Sequence, residues 1–97
     1  MRVKRNPRFN EELLEIVKYI AKNHPKNARN FFHTMIETVG KLSDSPYKGR
    51  PNEDGNRELV FKGYTIPYII DDDVIVILGI FNQNEWGIKE DLLPYLE

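Results

Sequence analysis

The stretch "RELVFKGYTIPYIIDDDVIVILGIF", residues 57–81, decides the fold. It holds three strand-like runs, "RELVF", "YTIPYII" and "VIVILGIF", rich in β-branched and aromatic residues. Lys62-Gly63 and the acids Asp71, Asp72 and Asp73 separate them, because glycine tolerates positive φ and aspartate bonds its own backbone. The expectation is a β-meander. In the middle run Tyr64, Ile66, Tyr68 and Ile70 share one face, whereas the last run is apolar on both faces, like a strand buried in the centre of a sheet. Pro67 resists a regular ladder, since proline brings no N–H. A local bulge or an unpaired nitrogen position is therefore expected there.

Working back from the meander, "SDSPYKGRPNEDGN" (43–56) is rich in Ser, Pro, Gly, Asn and Asp and reads as a loop. Before it, Ala28, Phe32, Met35, Val39 and Leu42 recur in steps of four, three, four and three, the stripe of an amphipathic helix. An earlier helix carries Leu13, Val17, Ile20 and Ala21, with Asn10 placed as its cap and acids in its first turn. His24-Pro25 divides the two, and so short a joint makes them an antiparallel hairpin. At the start, Met1 and Val3 alternate with Arg2 and Lys4, a short strand stopped by Asn6-Pro7. The result is α+β, β-α-α-β-β-β, with a helical hairpin packed on a mostly antiparallel sheet.

The chain of 97 residues suits one domain, 1–97, able to bury roughly two thirds of its unfolded surface. The tail 87–97 follows Trp86, and with Ile88, Leu92, Leu93 and Tyr95 nearby it is apolar enough to dock as a short helix or to await a partner. No cysteine is present, which removes disulfides and thiolate metal sites and favours a reducing compartment, the cytoplasm. The longest apolar run, Val74–Phe81, is too short to span a bilayer, so no membrane role is expected. Formal net charge is −1, yet residues 1–62 carry 13 Lys/Arg against 8 Asp/Glu while residues 63–97 carry one against seven. A basic surface beside an acidic tail is one reading, and ordinary solvated helix faces the other. His24 and His33 have no companion ligands, so neither a metal nor a cofactor is expected.

The helical hairpin, then P-x-x-G-R-P, R-E-L-V, Y-x-I-P-Y-x-I, an acidic turn and I-x-I-L-x-I-F ending near a tryptophan together resemble the RelE/ParE family of toxins from bacterial type II toxin–antitoxin modules. The resemblance covers about residues 3 to 86 and implies the same α+β fold. It also implies two divergent activities: cleavage of mRNA on the ribosome, as in RelE-like members, or non-enzymatic poisoning of DNA gyrase, as in ParE-like members. A family member without toxicity, serving as a binding module, is a third.

RNA cleavage through the 2′-hydroxyl needs converging proton acceptors, donors and cations. Asn82, Asn84 and Glu85 stand where nuclease relatives carry histidine or basic residues, which points toward a ParE-like, non-catalytic protein. If the chain is a nuclease, the candidates are Arg50, Arg57, Lys62 and Tyr64, with Glu58 conceivable as a base; the milder roles are loop-to-sheet bonds for Arg50, Arg57 and Glu58 and a solvated turn for Lys62. As a binder, it would present Arg57, Tyr64, Asn82 and Trp86 to protein partners: a cognate antitoxin, and gyrase or the ribosome.

Overall fold

The computed structural model describes residues 1–82. Strand β1 (Arg2–Arg5) leads into helices α1 (Pro7–Ala21) and α2 (Pro25–Gly40), a single 3-10 turn (Lys41–Ser43), and then β2 (Arg50–Pro51), β3 (Arg57–Phe61), β4 (Tyr64–Asp71), β5 (Val74–Ile77) and β6 (Phe81–Asn82). The expected α+β order is present, with two additions: β2 inside the segment read as loop, and a last run divided into β5 and β6. Tail residues 87–97 and Trp86 lie outside the described residues. Among the described residues no helix is long and apolar enough to cross a membrane.

Helix α1 begins earlier than its acids imply. Asn6, not Asn10, is the cap: its side chain accepts the Arg8 N–H at 2.9 Å, and Pro7 occupies the first turn, where a missing N–H costs nothing. No acid lies in that turn. The shift brings Phe9 into the helix, and Phe9 and Leu13 face inward together. At the hairpin, Pro25 opens α2 as expected, although His24 makes no side-chain cap bond. Ala28, Met35, Val39 and Leu42 are buried along the predicted stripe, and Phe32 is half-buried.

The sheet runs β1-β5-β4-β3-β2, with β1 parallel to β5 and the other pairs antiparallel. Side chains alternate across it, so directly opposed residues share a face. On the helix side lie the rows Arg5–Ile77–Tyr68–Arg57 and Val3–Ile75–Ile70, together with Ile66 opposite Leu59. Phe9, Leu13, Met35 and Val39 pack against Ile66, Tyr68, Ile75 and Ile77 in one core. The β3–β4 turn is made by Lys62 (φ 54°) and Gly63 (φ 83°), two positive values that match the twist of a two-residue hairpin.

Pro67 sits where the ladder breaks on one side only. Toward β3 the pairing is continuous, with Pro67 opposite Glu58. Toward the last run, Tyr68 pairs with Ile77 and Thr65 with Phe81, so Ile66 and Pro67 oppose three residues, Leu78, Gly79 and Ile80. That is a β-bulge, the expected outcome, carried by the partner strand. The Pro67 carbonyl accepts the Leu78 N–H at 2.9 Å, and the proline nitrogen faces the bulged side, where a regular ladder would have asked for a donor.

Candidate functional site

Three features of the sheet bear on function: a bulge held by a helix carboxylate, a loop tied to the sheet edge, and a cleft at the β4–β6 end.

The bulge frees the Ile80 N–H, and Glu12 on α1 accepts it at 3.0 Å through Oε1 while Oε2 receives Arg8 Nε at 3.2 Å. Gly79 leaves room for this approach, since a Cβ there would stand 2.5 Å from Glu12 Oε1 and would push the carboxylate aside. Glu12 was legible only as a helix acid; the signal for its role is its place beside Phe9, Leu13 and Ile16, one turn apart on the inward side. Glu12→Ala leaves a donor in a tight site without its partner. We expect a loss of about 1–3 kcal/mol in urea unfolding, with hydrogen exchange at the Ile80 amide accelerating at least as much as the global change.

The loop before β3 is fastened by two neighbouring side chains. Tyr68, fully buried, accepts the Gly49 N–H at 2.9 Å and donates to the Pro46 carbonyl at 2.7 Å. Opposite it, Arg57 Nη1 donates to the carbonyls of Gly49 and of Tyr47 (3.3 Å), and its guanidinium stacks over the Tyr47 ring at 4.9 Å. Arg50 lies on the other face, where Nη2 meets Glu58 Oε1 at 3.0 Å in a pair that Asn52 extends weakly at 3.5 Å.

These contacts place the candidates for phosphate chemistry apart. Arg50 is on the helix-free face; Arg57 is on the helix side; Tyr64 lies four residues of strand beyond Arg57's partner Tyr68, about 13 Å at ~3.3 Å per residue. Lys62 is at the hairpin tip, its ammonium 5.7 Å from the Phe61 ring. Glu58 pairs with Arg50, a loop-to-sheet bond of the kind expected for both. Asp71, Asp72 and Asp73 are exposed in the β4–β5 turn, and among the described residues no cluster of His, Cys, Asp and Glu could hold a metal ion.

Tyr64 and Asn82, by contrast, are brought together as direct cross-strand partners. With Glu15, Ile16 and Tyr19 of α1 they line a cleft of about 360 Å³. Tyr64 rests against Phe31 of α2, ring centres 5.2 Å apart, while Tyr19 is 74% exposed at the rim. An apolar floor with an amide, a phenol and a carboxylate at its margin suits side chains of another polypeptide, with polar groups to fix their orientation. The contribution of α1 to this cleft was not visible in the sequence, where Glu15 and Tyr19 fall off the apolar stripe.

A helical hairpin covering one face of a sheet built on an antiparallel meander defines an architecture with known examples. A solved structure, the chromosomal ParDE TA system from P. aeruginosa, superposes with a TM-score of 0.76 over 84% of this chain and 95% of that chain, at 24% sequence identity. The likeness is one of fold. The family model for the ParE toxin of type II toxin–antitoxin systems, parDE, matches residues 3–85, and the chain belongs to that family. No sequence among the curated proteins matches it.

Proposed function

We propose that the protein is the toxic component of a type II toxin–antitoxin module, acting in the bacterial cytoplasm by protein–protein contact with DNA gyrase and neutralised by a cognate antitoxin. The observation that carries this reading is the dispersal of the basic and phenolic side chains. Arg50 and Arg57 face opposite sides and are engaged with Glu58 and with loop carbonyls, while Tyr64 sits in a cleft beside a non-titrating amide. Acid–base cleavage of RNA needs such groups within hydrogen-bond reach of one phosphate. Family membership supports the toxin assignment, and the cleft supports a polypeptide partner.

The antitoxin contact is assigned to the cleft between α1 and the β4–β6 end. An amphipathic helix would bury apolar residues on Ile16, Tyr19 and Tyr64, with Asn82 and Glu15 at the polar margin. Tyr19→Ala, at an exposed ring, should leave the fold intact and weaken antitoxin binding about 30-fold if Tyr19 is a hot spot of about 2 kcal/mol. Calorimetric titration with the purified antitoxin checks this. Arg57→Ala is expected to act differently, lowering stability through its released loop.

Induction in a bacterial host, followed by assays of supercoiling, DNA breaks and transcript ends, tests the target. The expected result is inhibited supercoiling with cleaved DNA and intact messages. Ribosome-dependent mRNA cuts with normal supercoiling would replace gyrase by an endonuclease mechanism, and normal growth with folded protein would assign a binding role without toxicity.

A further inference from the structure

The two hairpins of the sheet part company at one end. The turn between β2 and β3 closes where the Asn52 N–H meets the Asn56 carbonyl at 2.8 Å, and Gly55 (φ 83°) carries the chain around. Strand β4 runs on past its last β3 partner, Arg57, through Ile69 and Ile70 to Asp71, still paired with β5. Between Gly55–Asn56 and Ile69–Asp71 lies a hollow of about 500 Å³. In an antiparallel ladder the N–H and C=O of one residue turn to the same neighbour, and successive residues alternate. The Pro67 carbonyl meets Leu78 beyond β5, so Ile69 and Asp71 also turn to the β5 side, whereas Tyr68 and Ile70 turn to the β3 side. Tyr68 finds Arg57 there. Ile70 faces the hollow, a donor and an acceptor with no strand opposite.

Arg57 closes the inner end of this wedge. Its guanidinium is fixed in advance, with Nη1 on the Gly49 and Tyr47 carbonyls and the Tyr47 ring stacked against it. Nε and Nη2 make no hydrogen bond among the described residues, and no described carboxylate pairs with the charge. Unused N–H groups on a held cation suit a carboxylate. A strand passing straight through does not fit, because β3 fills the lane from Arg57 onward. A chain end does fit: entering from the open side, it brings its last group to Arg57, where a carboxylate is attracted and an ammonium repelled.

We propose that the wedge between the β2–β3 turn and the end of β4 captures the free C-terminus of another polypeptide, added to β4 as a single rung. The last residue's N–H donates to the Ile70 carbonyl; one carboxylate oxygen accepts the Ile70 N–H and the other meets Arg57. Directly opposed residues share a face, so the last side chain, beside half-buried Ile70, is apolar, and the one before it, opposite exposed Asp71, is basic. This surface is separate from the cleft assigned to the antitoxin, which lies at the Tyr64 end of the same strand.

The test titrates the full chain, labelled with nitrogen-15, with the peptide N-acetyl-Gly-Ser-Lys-Val bearing a free C-terminus, and follows the backbone amides by NMR. The Ile70 amide should move most. Capping the peptide as its C-terminal amide should weaken binding at least about tenfold. Replacing its lysine by glutamate should weaken binding about two- to fivefold. Asp71→Lys, at an exposed position, should reverse that preference while far-UV circular dichroism stays as in the wild type. Equal affinity for free and amidated ends overturns the proposal, as does an Ile70 amide that stays still, an absence of binding at millimolar peptide, or a lysine preference that Asp71→Lys leaves unchanged. An amidated peptide with an internal aspartate that binds as tightly also overturns it, since the wedge then takes a side chain rather than a chain end.

Discussion

Tyr68→Ala is expected to lower the unfolding free energy by about 3–5 kcal/mol from the lost ring alone, as for other fully buried aromatics. The hydroxyl adds to this, because the Gly49 N–H and the Pro46 carbonyl both rely on it. Stranding a buried donor costs about 1–3 kcal/mol. The combined loss is a large fraction of the stability of a domain this size, for which about 5–10 kcal/mol is usual. The variant should therefore be largely unfolded at physiological temperature, which circular dichroism and a urea titration would register. Tyr68→Phe separates the two contributions: it keeps the ring and should lose only the hydroxyl's share. Gly49→Ala tests the same joint from the loop side, since a Cβ there would meet Tyr68 Oη and Cε1 at 2.7 Å and the Glu58 carbonyl at 2.8 Å. None of these atoms is the free end of a flexible chain. A Tyr68→Phe protein as stable as wild type would show that the loop is held by Arg57 alone.

Phe9→Ala should have the next largest effect, about 3–5 kcal/mol, because its ring is fully buried in the first turns of α1 and packs in the same core as Leu13 and Ile80. The neighbouring Asn10 is exposed, and Asn10→Ala should change stability by less than about 0.5 kcal/mol. Asn6→Ala, by contrast, should cost about 1 kcal/mol as a lost cap. The order Phe9, Asn6, Asn10 in chemical denaturation would establish where the helix starts. Equal effects at Asn6 and Asn10 would not fit the structure.

That same region marks how far the sequence could be read. The helical hairpin, the meander and the irregularity at Pro67 all follow from periodicity and from residues with fixed backbone preferences, and each is present. The start of α1 was misplaced by four residues because two asparagines compete for the cap, and acids at 11 and 12 favour the later one only if their charge serves the helix end. Glu12 serves a distant backbone amide instead. A tertiary demand of that kind leaves no local pattern. The strand β2 was hidden for a related reason: two residues, one of them proline, have no alternation to detect, and the bonds that hold the loop beside β3, from Tyr68, Arg57 and the Arg50–Glu58 pair, are long-range.

The candidate site divides similarly. Tyr64 and Asn82 were named separately, from a strand face and from comparison with catalytic relatives, and the structure makes them neighbours. Arg50, Arg57 and Glu58 were legible as residues that join loop to sheet, since arginine and carboxylate near a glycine-proline turn find partners readily. The side of the sheet each would occupy depends on the register of β2, β3 and β4, which long-range pairing sets and no local pattern reveals.

The extra residue between Ile77 and Phe81 is also a switch of identity. Straighten that segment without shortening it, and the alternation downstream reverses: Phe81 would take the seat opposite Tyr64, and Ile80 would pass to the far side opposite Thr65. Loss of the extra residue's accommodation would thus exchange an amide for an aromatic in the cleft and empty the opposite surface of its ring. A chain with one residue fewer there would instead pair regularly and keep Phe81 and Asn82 on the sides they occupy now.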